Sequence, residues 1–174
     1  MSQYAQLIQD LASAIEQGAA LLQTLDDGQF TKRFGNSSSI GAHHRHVLEY
    51  ANLLVDGLEQ GRVDYDARER NVLIETNREA AIAATRRLCE RIRGIHGESL
   101  LAPIEVAHCT SMTSDCAVQS TGAREFLFVL SHVIHHWALV RYLLEAQELE
   151  VPATFGFMPS TLRQMSKTQN AVNA

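Results

Sequence analysis

Six of the eight histidines in this 174-residue chain fall in two short segments. One of these segments is STGAREFLFVLSHVIHHWALVRYLLE, Ser120 to Glu145, with His132, His135 and His136 in its middle turns. Phe126, Leu130, Val133, Trp137, Val140 and Leu144 recur at alternating spacings of four and three, the signature of a helix with one face against a core. At roughly 100° per residue, His136 lies about 80° from the centre of that stripe and His132 about 120°, both on the same flank. His135 lies about 180° away, with Phe128 and Tyr142. Two histidines at i and i+4 beside a core can reach one cation inside a bundle, and His135 cannot easily join them.

The other segment, SIGAHHRHVLEY, offers a third ligand. Against a stripe of Ile40, Val47, Ala51, Leu54 and Leu58, His46 lies about 100° to one side and His43 about 40° to the same side, with His44 on the other flank. Spacing leaves both His43 and His46 open. Three neutral imidazoles on a divalent cation leave positions for water or substrate, as a reactive metal site requires. Imidazole suits zinc, nickel, iron and copper alike, so donor type does not choose among them. The competing reading is that these histidines are hydrogen-bonded in the core or exposed.

Four amphipathic helices are available to position the histidines. The first runs from Tyr4 to Leu25 and stops at Asp26-Asp27-Gly28; Gln29 to Asn36 reads as a loop. Ser37-Ser38-Ser39 supplies N-cap candidates for a second helix from Ile40 to Gln60, with Gly61 placed as a C-terminal glycine. Arg62 to Arg70 (RVDYDARER) is a charged connection, and Asn71 to Arg93 is a third helix closed by Gly94. Pro103 to Gln119 alternates about a turn at Ser111 to Asp115 and reads as a β-hairpin, with Cys109 and Cys116 able to face each other across it. After the histidine helix, Phe155 to Met165 is expected to pack a short helix on the bundle, and Lys167 to Ala174 to form a frayed tail. The fold class is all-α: a four-helix bundle with a short β-hairpin between the third and last long helices, one domain over residues 1–166.

Composition narrows the function. A net charge of -5 with scattered Lys and Arg gives no general attraction to nucleic acid or anionic membrane. No apolar run approaches the roughly 18 residues of a membrane span, and MSQYAQLIQD lacks the basic and apolar regions expected of a signal peptide. Three cysteines are odd in number, which argues against a disulfide framework and for a cytoplasmic location.

SIGAHHRHVLEY and LSHVIHHWALV resemble the two signature segments of the DinB-like (DinB/YfiT) superfamily, and VDYDARER and STGAREF are similar to one branch of it. The resemblance runs from about Gln29 to Ser160. It implies a metal-binding four-helix bundle, usually a homodimer, in which one histidine of the second helix and an H-x-x-x-H pair of the last hold a divalent ion: zinc, nickel or iron. Carried over, the ligands are His46, His132 and His136, while His43 fills a position that is often not histidine in the family. The implied activity is a metal-dependent hydrolysis or a thiol-dependent transfer on a small-molecule substrate, with a low-molecular-weight thiol as partner in the second case. A non-catalytic metal-binding or dimerisation module is the alternative. Both reactions need a proton acceptor, for which Asp66 and Glu125 are the candidates. Tyr65, Asp66 and Arg68 are expected to line the pocket, and Arg45 and Arg124 could bind an anionic substrate. Phe128 and Tyr142 are expected at a homodimer interface or under the hairpin.

Overall fold

In the computed structural model, which describes residues 2–172, the chain runs α1 (Gln3–Leu22), α2 (Asp27–Thr31), α3 (Ile40–Gln60), β1 (Arg62–Asp64), α4 (Val72–Thr76) and α5 (Arg78–Arg93). It continues through a 3-10 turn into β2 (Pro103–Ser111), β3 (Ser114–Thr121), α6 (Gly122–Glu145) and α7 (Pro159–Val172). The long helices α1, α3, α5 and α6 form the bundle, α1 and α3 each packing against both α5 and α6.

Their starts are set by side-chain oxygens that accept the backbone N–H three residues on: Ser2 from Ala5, Ser39 from Ala42, Asn77 from Ala80 and Thr121 from Arg124. Gly61 ends α3 in the left-handed region, at a φ of 71°, where a Cβ would be strained. The predicted stripe of α6 is buried at Phe126, Val133, Trp137, Val140 and Leu144, and half-buried at Leu130. Trp137 closes the core by donating its indole N–H to the Ala14 carbonyl at 2.7 Å. It fits there because Gly18 has no side chain; a Cβ would collide with the indole ring. By length and composition α6 could cross a membrane, but in this fold that apolar stripe is the centre of the bundle.

Several local expectations are corrected. The loop read over Gln29 to Asn36 begins inside α2, which the reciprocal Asp26–Gln29 capping box opens and which buries Phe30. The third helix is two: Asn77, in extended conformation, ends α4 and caps α5. Arg62–Asp64 leave the charged connection to pair in parallel with Glu105–Ala107, so the hairpin becomes a three-stranded sheet. Cys109 lies opposite Asp115 and Cys116 opposite His108, which sets the two thiols on opposite faces of the hairpin. Phe155 is buried against Trp137, but α7 itself stands off with mostly exposed residues. The helix runs through the expected frayed tail as far as Val172; Asn173 and Ala174 lie outside the described residues.

Candidate metal centre

α3 and α6 lie side by side, and their histidines meet between them. One ring nitrogen from each of His46, His132 and His136 lies within 4.8 Å of the other two. His46 Nε2 is 2.8 Å from His132 Nε2, and His136 Nδ1 is 2.9 Å from His43 Nδ1. His135 is exposed on the outer side of α6, as the helical wheel requires. His44 belongs to the core, bonded to Thr85 at 2.8 Å. Tyr50, one turn after His46, is buried and stacks on His132 at 4.2 Å, and Tyr65 stacks on Tyr50 at 5.0 Å.

The environment keeps these rings neutral. Burial, then the neighbouring His132 and Arg68, lowers the His46 pKa to about 3. Burial, then His135 and Arg68, lowers that of His132 to about 4. His136 is lowered by burial, then by His46 and His132, and His43 by burial, then by His135. Neutral imidazole is the form that ligates a metal.

Whether a divalent cation fits depends on which ring nitrogens carry hydrogen. Two facing Nδ1 atoms share one hydrogen; with it on His136, His43 accepts, and His136 presents a bare Nε2. That is the arrangement a metal-ligating histidine needs, its outer N–H given to an acceptor. His46 is arranged the other way. Arg68 Nη1 lies 2.7 Å from His46 Nδ1, and a guanidinium can only donate, so neutral His46 carries its hydrogen on Nε2 and offers it to His132. The three residues therefore fit a divalent cation through nitrogen donors once Arg68 has left His46. Among the described residues, the ligand group comprises these three side chains.

The candidate proton acceptors sit apart from the rings. Glu125 is buried behind the cluster and accepts from Tyr65 Oη at 3.0 Å and Ser120 Oγ at 2.6 Å. Asp66 is exposed at the sheet, accepting from the Cys109 backbone N–H and bonding His108 Nδ1 at 2.8 Å. The Cys109 N–H, then His108, holds its carboxyl below the ordinary carboxylate range. Tyr65 is raised by burial, then by Glu125. Arg45 is tied to Glu75 at 2.5 Å, and Arg124 lies over the Phe128 ring. Phe128 is half-buried against Tyr65, while Tyr142 is exposed. A cavity of about 400 Å³ lies between α3, α5 and the connection after β1; Arg68 belongs to its lining and the histidines do not. Sequence reasoning passed over Tyr50, although its position four residues after His46 puts it on the same helix face.

Comparison with known proteins adds three findings. The family model for the DinB superfamily matches residues 10–140. The chain is 33% identical over 108 residues to FK506-binding protein 5 of Rhizopus delemar, covering 60% of this chain and 28% of that protein. It thus spans little more than a quarter of that relative's length. The fold matches the crystal structure of a DinB-like protein from Bacillus subtilis with a TM-score of 0.59, at 18% identity, over 88% of this chain and 99% of the other.

Proposed function

The chain belongs to the DinB superfamily, and on that premise we propose that it is a metal-dependent enzyme whose His46, His132 and His136 hold one divalent cation, zinc, nickel or iron. The observation that carries this reading is the convergence of three neutral imidazoles within 4.8 Å, two of them from α6 and one from α3. A bound divalent cation supplies Lewis-acid activation of a water or a thiol, so the reaction is a hydrolysis or a transfer from a low-molecular-weight thiol to a small-molecule substrate. The chain's own residues do the rest. His43 holds His136 by its outer nitrogen, and Tyr50 fixes the plane of His132 by stacking. Glu125 holds Tyr65 against Tyr50 by accepting its hydroxyl hydrogen. Asp66 fastens the connection after β1 to the hairpin.

A cytoplasmic location and a homodimer are part of the same proposal. Cys89, Cys109 and Cys116 are free thiols, as a reducing compartment keeps them. Leu127 and Tyr142 expose apolar surface on the outer side of α6, where a second copy would cover it.

The test is elemental analysis of protein purified without chelator or nickel resin. One divalent ion per chain is expected in the wild type and a loss of most of it in His132→Ala, with turnover of activated esters or thiol acceptors following the metal content. A wild type that takes up none of the three metals on reconstitution disproves the reading.

A further inference from the structure

We propose that Arg68 is the recognition group for a carboxylate of the substrate, a role that rests on the metal-centre reading above. The half-buried arginines Arg45, Arg78 and Arg141 are each paired with a carboxylate, Glu75 at 2.5 Å, Asp27 at 3.0 Å and Glu145 at 3.3 Å. Arg68 is also half-buried, yet among the described residues it has no carboxylate in ion-pair contact. Its Nη1 donates to His46 Nδ1 at 2.7 Å, its Cζ lies over the Tyr50 ring 5.7 Å from the centre, and its buried Nε–H has no acceptor. A half-buried cation held by one neutral acceptor, with a donor orphaned, is poorly compensated.

Its acceptor is also the atom that a ligating His46 cannot offer. An imidazole that binds a cation through Nε2 carries its hydrogen on Nδ1, so Arg68 must release His46 when the three histidines are used as ligands. The freed guanidinium remains anchored by its stem at the edge of the cluster and of the 400 Å³ cavity, which Leu53, Ile74 and Leu88 also line. Glu49 borders the same cavity; its Oε1 accepts from the Asn71 N–H at 2.9 Å, and its Oε2 faces Arg45 Nε at 3.7 Å without a hydrogen-bond partner. A dication with neutral ligands and a released guanidinium are both positive, while the rest of the cavity is mixed in charge, with Glu49, Asp56 and Glu69 set against Arg87 and Arg91. The Nε–Nη2 edge of a guanidinium matches the two oxygens of a carboxylate side by side. A substrate held by Arg68 through one carboxylate would extend towards the histidines from a cavity that they do not themselves line, Arg68 being the link between the two.

The experiment uses the cobalt(II)-loaded protein, with the visible cobalt spectrum as the readout of metal loading and calorimetric titration as the readout of binding, and acetate, acetamide and inorganic phosphate as probes. In Arg68→Gln the acetate Kd is expected to rise about tenfold or more, with acetamide unaffected and cobalt bound as tightly as in the wild type or more tightly. If Arg68→Gln melts lower, Arg68→Lys is read the same way, with a severalfold loss expected because ammonium keeps the charge and lacks the fork. Equal acetate binding in wild type and variant overturns the proposal. So does a tenfold weaker cobalt affinity in the variant, and a loss confined to phosphate overturns the choice of carboxylate. A wild type that takes up no cobalt sinks the metal reading itself and this inference with it, whereas cobalt uptake with unaltered acetate binding sinks this inference alone.

Discussion

Each histidine has two ring nitrogens, and in this cluster the partner of the outer one governs what the inner one can offer. With His43 as the acceptor, His136 keeps its hydrogen on Nδ1 and its Nε2 is free to ligate. His43→Ala removes that acceptor and frees the ring to turn, so divalent-metal affinity should fall about tenfold to a hundredfold. His43→Asn places a carbonyl oxygen near the former Nδ1 position and should recover most of the affinity. Competition titration with zinc or cobalt decides it. Equal affinity in wild type and His43→Ala would show that His43 does not orient His136. On the proposed metal reading, Arg68 would oppose a cation at His46 as His43 would assist one at His136, and the affinity would be a balance between these two outer partners.

At the scale of elements, α3 is held on both flanks by histidines in different roles. His46 faces α6, while His44 is turned into the core and ties α3 to α5 through Thr85. Thr85 Oγ donates to the Ala81 carbonyl at 2.9 Å, so it accepts from His44 Nε2–H and His44 Nδ1 carries no hydrogen. Burial lowers the His44 pKa to about 3 from the ordinary 6.5. Above the unfolded value the ring is neutral in both states and its contribution is fully present. As the pH falls through that value, the unfolded chain takes up a proton that the folded chain refuses, so stability is lost until the folded pKa is reached. One such group costs about 1.4 kcal/mol per pH unit over that window. In metal-free protein, His44→Leu should flatten the acid side of the stability–pH curve by about this slope, measured by urea unfolding between pH 7 and pH 4. An unchanged slope would mean that the ring is hydrated in the fold.

For the whole molecule, the prominent surface feature is the outer side of α6, with Leu127 and Tyr142 exposed, together with a terminal helix α7 that packs little on the bundle. The proposed homodimer predicts a sedimentation coefficient of two chains at micromolar concentration, shifting to one in a Leu127→Glu, Tyr142→Glu double variant. Metal content per chain should be the same in both, since His46, His132 and His136 come from one chain. A monomeric wild type would remove the dimer from the proposal.

The sequence by itself determined the two histidine helices and their faces. Periodicity and caps located α3 and α6, and the 100° step separated His132 and His136 from His135, because these are properties of one helix and its own residues. The resemblance singled out His46, but spacing could not decide between it and His43, since both lie on the same flank of α3. That choice depends on where α6 sits: His46 meets His132, and His43 meets the outer nitrogen of His136. The same holds for Arg68 and Tyr50, which reach the cluster through packing between elements distant in the chain. β1 escaped notice because a three-residue strand has too little alternation to read, and its pairing exists only once β2 is beside it. The Cys109–Cys116 relation turned on a strand register, where a slip of one residue changes the face.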